Sequence, residues 1–330
     1  MGFELPKEND LRKAVFAIQN EKDFSQIALE IFRFQFFTNI VYNSFCKALR
    51  RTPENVNAIE DIPFLPIQFF KTKEIVSGSF SPQAVFKSSG TTGNNTSQHL
   101  VKDLSLYEES FLRCFEQFYG KPESLCVLGL LPSYLERGDS SLVYMVEKLI
   151  KRSNHPMSGF YLYEHEKLKA TLESLEAAAQ ETILFGVSYA LLDFAETDSL
   201  PLKHTTIIET GGMKGRKKEL TKTELYDELR QAFSLNEIHS EYGMTELLSQ
   251  AYAVNGFYKT PPWMKVFLRE ETDPLSYSAR SGAINMIDLA NIYSCSFIAT
   301  DDRGRFHPDG SFEVLGRLDN SDIRGCSQLV

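Results

Sequence analysis

Between residues 103 and 240 the chain alternates helical stretches with short apolar runs, and this rhythm restricts the fold more than any other feature. A helix over 103–119 has Asp103 as its N-cap, Leu104, Tyr107, Phe111, Leu112, Phe115 and Phe118 on one face, and Gly120 as its stop. The continuous apolar run 125–131 follows and ends at Pro132. The pattern then predicts a helix over 141–152, a strand near 159–163, a helix over 165–180, a strand over 182–187, a short helix over 188–196 and a strand over 205–209. A helix over 221–233, opened by the capping box Thr221-Lys-Thr-Glu224, and a strand over 236–240 complete it. Strands that are apolar throughout are covered on both faces, so the expected fold is α/β, with mostly parallel sheet layers covered by helices.

Two flanking regions read differently. Residues 25–50 predict one helix with an unusual aromatic load, Phe32, Phe34, Phe36, Phe37, Tyr42 and Phe45, apolar nearly all round. Such a helix is either buried packing or the lining of an apolar channel. After Pro261-Pro262, short strand-like runs at 263–268, 283–289, 296–300 and 312–315 are separated by turns at Gly304, Pro308-Asp-Gly310 and Gly316. This predicts a smaller antiparallel β subdomain near the C-terminus. The expected division is residues 1–260, a helical N-terminal segment with the α/β core, and residues 261–330, a β-rich part with a tail.

Composition narrows the function classes. A net charge of −9 without a strong basic patch argues against nucleic-acid binding. No run approaches the length of apolar residues a membrane span needs, and the acidic N-terminus lacks the core of a secretory signal. Five dispersed cysteines without a C-x-x-C pair predict reduced thiols in a cytoplasmic protein.

The chemistry is expected in Lys87-Ser-Ser-Gly-Thr-Thr-Gly-Asn-Asn-Thr96, preceded by the extended run Ala84-Val85-Phe86. Small residues from Ser88 to Gly93 leave backbone N–H groups uncovered and add four hydroxyls, which is what a polyphosphate requires of a loop. It is not a G-x-x-x-x-G-K-[ST] loop, because Asn94 stands where that motif has lysine. His99 and His239 are the two histidines near such segments, and no G-x-S-x-G elbow occurs.

Three further segments follow in order: Ser240-Glu-Tyr-Gly-Met-Thr-Glu246, Ala299-Thr-Asp-Asp-Arg-Gly-Arg305 and Leu315-Gly-Arg-Leu-Asp-Asn320. With the loop, they resemble the nucleotide-binding motifs of the adenylate-forming, acyl-activating enzyme superfamily. The segment Ile62-Pro-Phe-Leu-Pro-Ile-Gln-Phe-Phe-Lys71 and the terminus Asp322-Ile-Arg-Gly-Cys-Ser327 resemble the LuxE-type acyl-protein synthetases within it. The resemblance covers residues from about Pro63 to the end and implies that superfamily's large N-terminal domain only, without the lysine-bearing C-terminal domain.

The resemblance implies ATP and Mg²⁺ as cofactors and a role for each motif. Ser88, Ser89, Gly90, Thr91, Thr92 and Gly93 would wrap the β- and γ-phosphates. Gly211 and Gly212, in Thr210-Gly-Gly-Met, would border the purine pocket, and Tyr242 followed by Gly243 would stack on adenine. Thr245 would contact the α-phosphate and Glu246 would ligate the metal. Asp302 would accept the ribose hydroxyls, with Asp301 replacing the glycine usual before it; Arg317 would lie near ribose and phosphate, and Asp319 marks the hinge of longer members. Asn95-Thr96 replace a frequent proline-lysine pair, which removes one cation from the phosphate site. Near the terminus, Cys326 matches the cysteine that takes the acyl group from acyl-AMP, with Arg324 close by.

The expected function is ATP-dependent activation of a carboxylic acid, a fatty acid given the chain's 25 phenylalanines, and acyl transfer to a cysteine thiol. Two alternatives stand beside it: an acyl-CoA or carrier-protein ligase of the same superfamily, and a non-catalytic nucleotide- or acyl-binding protein. The partners implied are the acid and an acyl-accepting reductase or carrier protein.

Overall fold

The computed structural model describes residues 6–88, 96–132, 137–211, 220–271, 273, 275–278 and 280–318. The helices are α1 (Glu8–Val15), α2 (Glu21–Thr38), α3 (Ile40–Ala48), α4 (Phe69–Thr72), α5 (Leu104–Tyr119), α6 (Ser141–Ser153), α7 (His165–Ala177), α8 (Ser188–Thr197) and α9 (Lys222–Phe233). The strands are β1 (Leu65–Pro66), β2 (Ala84–Lys87), β3 (Gln98–Val101), β4 (Cys126–Leu130), β5 (Gly159–Phe160), β6 (Thr182–Val187), β7 (Thr205–Thr210) and β8 (His239–Tyr242). They continue with β9 (Ala251–Val254), β10 (Phe257–Lys259), β11 (Met264–Arg269), β12 (Ser281–Asp288), β13 (Phe297–Phe306) and β14 (Phe312–Arg317).

Two compact units interleave along the sequence. One comprises residues 1–111, 244–250 and 260–306, and the other residues 112–243, 251–259 and 307–330.

The second unit carries the α/β rhythm. Strands β5, β4, β6, β7 and β8 lie side by side and parallel. Antiparallel β9, β10 and β14 extend them. Every residue of β4 and β6 is buried, as expected of strands covered on both faces. The capping box forms as the sequence predicts: Thr221 accepts from Glu224 N–H, and the Glu224 carboxylate accepts from Thr221 N–H. The strand expected at 236–240 instead runs over His239–Tyr242, so that Tyr242 is its last residue.

The first unit contains the helical N-terminal segment and the antiparallel sheet β11-β12-β13, with β1 parallel to β13. Here the single helix expected over 25–50 is two helices. Asn39 breaks it with extended backbone (φ −106°, ψ 109°), and its side chain caps α3 by accepting from Tyr42 N–H. Asn39 Nδ2 also donates to Ser294 O at 3.1 Å, so the break is held from outside the helix. Four of the six aromatic residues are core packing, whereas Phe37 is exposed and Phe45 half-buried. Phe32, Phe34 and Phe36 are buried, and Tyr42 stacks on Phe297 with centroids 6.0 Å apart while its hydroxyl donates to Pro63 O. The run expected at 296–300 extends to Phe306, which places Asp301 and Asp302 within a strand. Among the described residues, no helix is long and apolar enough to cross a membrane.

Candidate active site

In the first unit, the phosphate-loop sequence joins the two strands of a hairpin. β2 and β3 pair antiparallel with Phe86 opposite His99 and Lys87 opposite Gln98. Beyond Lys87, Ser88 N–H donates to Ser97 O at 3.1 Å and Ser97 N–H donates to Ser88 Oγ at 3.0 Å, which closes the neck. Ser88 keeps its own hydroxyl hydrogen for another acceptor. Ser89, Gly90, Thr91, Thr92 and Gly93 lie outside the described residues.

The same hairpin reaches the Thr-Glu motif. His99 Nδ1 lies 2.8 Å from Thr245 O, and His99 Nε2 lies 3.1 Å from Asn291 Oδ1. Burial lowers the His99 pKa to about 4, so the ring is neutral near pH 7 and its nearer nitrogen carries the hydrogen donated to Thr245. Asn291 Nδ2 donates to Glu246 O at 2.8 Å and to Cys295 O at 3.0 Å. Residues 243–250 are irregular, with a turn at Thr245–Glu246 and no helix following β8. Thr245 is half-buried and Glu246 is 1% exposed.

Asp301 and Asp302 point to opposite faces of β13, as successive strand residues must. Asp301 is buried and accepts from Gln68 Nε2, whereas Asp302 is half-buried. Gln68 belongs to the Ile62–Lys71 segment, and β1 within that segment runs along β13 with Pro66 opposite Ala299.

In the second unit, Gly211 follows the carboxyl end of β7 at φ +71°, a conformation that glycine adopts without strain. Gly212 lies outside the described residues. Ser188 Oγ, at the start of α8, lies 2.5 Å from Glu209 Oε1 and 2.9 Å from Gly211 O. Ser240 Oγ lies 3.1 Å from Glu209 Oε2 and 2.6 Å from Tyr258 Oη, and Lys222 Nζ donates to that phenol. Tyr242 ends β8, next to β7, with its half-buried ring packed edge-on against Tyr258 and Phe312. Gly243 is exposed, and Arg317, last residue of β14, is half-buried. Gly211 and Tyr242 therefore share the carboxyl edge of the parallel strands, where α/β proteins bind ligands.

A cleft of about 740 Å³ in this unit is lined by residues 162–167 with Tyr189, Ala190 and Asp193. Its Glu164, His165, Glu166, Lys167 and Asp193 make it a poor fit for an acyl chain.

The described cysteines lie in surroundings that disfavour a thiolate or shield it from a substrate. Cys46, Cys114, Cys126 and Cys295 are free and buried, and burial raises the thiol pKa of Cys126 and Cys295 and pushes that of Cys46 up to about 12. Cys326, with Arg324 and Asp319, lies outside the described residues.

Several residues of these sites were not singled out in the sequence, namely Gln68, Asn291, Glu209 and Asp288, which accepts from the N–H groups of Leu248 and Ser249 just after Glu246. A signal was available for two of them. Asp288 and Asn291 interrupt a buried apolar stretch, and a polar side chain there requires a partner.

Comparison with solved structures places the fold. ATP-bound MatB from Rhodopseudomonas palustris superposes with a TM-score of 0.54 at 17% identity, over 71% of this chain and 48% of that one. An ATP-bound RpMatB-BxBclM chimera gives 0.56 at 15%, over 73% and 49%. The luciferase-like enzyme of the mealworm Zophobas morio gives 0.52 at 15%, over 74% and 60%. The chain thus spans about half the length of the first two structures. At these identities the likeness establishes the fold, that of adenylate-forming enzymes. A search of curated proteins returned no match. The family model described as acyl-protein synthetase, LuxE, matches residues 14–330, and the chain belongs to that family.

Proposed function

We propose that this protein activates a carboxylic acid with ATP and transfers the acyl group to a thiol. The observation that carries this reading is the hydrogen bond between His99, on the hairpin that bears the phosphate-loop sequence, and the carbonyl of Thr245. Two segments distant in sequence and both rich in phosphate-binding groups are thereby held together in one unit.

In this mechanism, a carboxylate oxygen of the acid attacks the α-phosphorus, the bond to the bridging oxygen breaks, and pyrophosphate leaves. Backbone amides and hydroxyls from Ser88 to Gly93 hold the β- and γ-phosphates, and the Thr245 hydroxyl donates to the α-phosphate. Tyr242 with Gly211, Gly212 and Gly243 borders adenine, Asp302 accepts from the ribose hydroxyls, and Arg317 adds a positive charge nearby.

Glu246 suits Mg²⁺, since it offers hard oxygens at a site so buried that a carboxylate gains from a cation. Among the described residues no cluster of three or more His, Cys, Asp or Glu could hold a metal. Once bound, the ion would offset the charge of the polyphosphate.

The acyl-AMP formed is then attacked at its carbonyl carbon by the thiolate of Cys326, and AMP leaves as the thioester forms. The buried, protonated state of the thiols at Cys46, Cys126 and Cys295 supports a nucleophile elsewhere. The acid is a fatty acid in this reading, and the acyl group passes onward to a reductase or carrier protein.

The test is ATP–pyrophosphate exchange with fatty acids of graded length, followed by labelling with radioactive acid. Exchange lost in Glu246→Ala, together with a hydroxylamine-labile protein label lost in Cys326→Ser, supports the reading. Exchange without protein label, and thioester formed on added coenzyme A or carrier, would replace the acceptor. No exchange with nucleotide binding intact would leave a binding protein.

A further inference from the structure

We infer that His99 and Asn291 act as a positioning pair for the Thr245–Glu246 turn, holding both of its peptide carbonyls and tying it to the hairpin that carries the phosphate loop. The inference rests on the assignment of Thr245 and Glu246 to adenylation and adds the residues that orient them.

The two carbonyls belong to consecutive residues. His99 Nδ1 holds that of Thr245 at 2.8 Å, and Asn291 Nδ2 holds that of Glu246 at 2.8 Å. Fixing both peptide planes fixes the backbone on each side of Glu246, and with it the direction in which the hydroxyl of Thr245 and the carboxylate of Glu246 leave the chain.

Each clamp residue is itself held. Asn291 is 1% exposed, and its second amide hydrogen goes to Cys295 O at 3.0 Å, which sets the amide orientation. Gln35 of α2 anchors that loop, with Nε2 donating to Asn291 O and Ile292 O at 2.9 Å and Oε1 accepting from Ser296 N–H at 3.0 Å. The His99 ring, 2% exposed, meets Phe70 of α4 edge-on with centroids 6.1 Å apart. His99 Nε2 lies 3.1 Å from Asn291 Oδ1; with the neutral ring's hydrogen on Nδ1 this is a contact between two acceptors, so each residue holds the turn through its own donor. A displacement of the hairpin is therefore felt at Thr245 through one rigid ring.

The experiment uses the full chain with His99→Ala, His99→Asn, Asn291→Ala and the double alanine variant. The asparagine amide reproduces the position of Nδ1 and keeps the donor to Thr245. Expected in His99→Ala is a fall of about 20-fold or more in the maximal exchange rate, with the KM for ATP within about threefold of wild type. His99→Asn recovers most of the loss. The double variant is no worse than the worse single one, as befits residues acting as a unit.

Deuterium uptake over residues 244–250 in the nucleotide-free protein rises in both alanine variants. Unchanged uptake, an exchange rate within about threefold of wild type, or failure of His99→Asn to improve on alanine would each overturn the inference. If wild type exchanges with no acid, the adenylation reading falls, and the uptake measurement still decides whether the pair holds the turn.

Discussion

Asp288 grips Ser249 twice, through Oδ2 on its backbone N–H at 2.9 Å and through Oδ1 on its hydroxyl at 2.6 Å. It takes the N–H of Leu248 at 2.7 Å as well. The carboxyl is fully buried and faces donors only, so Asp288→Asn turns an amide N–H₂ toward N–H groups. We expect a loss of about 2–4 kcal/mol of stability. Trp263, the chain's one tryptophan, donates to Ser249 Oγ at 3.0 Å and reports on this network directly. Urea unfolding followed by its fluorescence checks the prediction, and an unchanged midpoint refutes it.

The second prediction concerns pH. Glu241 is buried at the edge of β8, and burial raises its carboxyl to about 7; the Thr210 hydroxyl opposes this, and Glu209 adds to it. Because the folded-state pKa lies above the unfolded one, the native state binds the extra proton. The associated stability is complete below about pH 4.5 and disappears as pH rises through 7, amounting to about 3 kcal/mol. Glu241→Gln keeps an acceptor for Thr210 without the titration. Its stability relative to wild type, measured by denaturant between pH 5 and 8, should rise with pH across that window. A difference that is flat with pH would show that Glu241 does not titrate there.

The α/β part of the fold was legible because β4 and β6 are short, largely apolar runs flanked by helices, and α9 opens with a capping box, so local pattern and tertiary environment agree. The break at Asn39 was not, since Ser294 helps to hold it from 255 residues away. For the site, the motif residues were readable as chemical types. Their supports were not: Gln68, Asn291 and Asp288 act through contacts made only after folding. A single polar residue in a sequence does not name its partner.

The hairpin β9–β10 is a case in which the signal was present. Asn255-Gly256 lies between Val254 and Phe257, which pair across the turn, and both turn residues have positive φ, 51° and 90°. Two such residues make the turn that matches strand twist, for which Asn-Gly is the favoured sequence. A Cβ at Gly256 would meet nothing within 4 Å, so the cost of Gly256→Ala is conformational. We expect about 1–2 kcal/mol, read from the thermal or denaturant midpoint. Gly256→Asn should lose less, because asparagine tolerates the left-handed region. Equal losses for the two would point to a cause other than backbone conformation.

The two aspartates of β13 differ in exposure and in the face of the strand they occupy. Asp301 is buried against Gln68, while Asp302 lies half-buried on the other face of the strand. If ribose hydroxyls are bound here, the more accessible side chain is the one that meets them. Asp302→Ala is then expected to raise the KM for ATP about tenfold or more, with the unfolding midpoint little changed, since a neutral partner left unpaired costs the complex and not the free fold. Asp301→Ala should do the reverse, lowering stability by removing a buried carboxylate that favours the charge of Arg269, and affecting the KM only secondarily. The dependence of exchange rate on ATP concentration, set beside unfolding midpoints for both variants, distinguishes the cases. A KM effect confined to Asp301→Ala would move the ribose contact to the buried face of the strand and make Gln68 part of the nucleotide site.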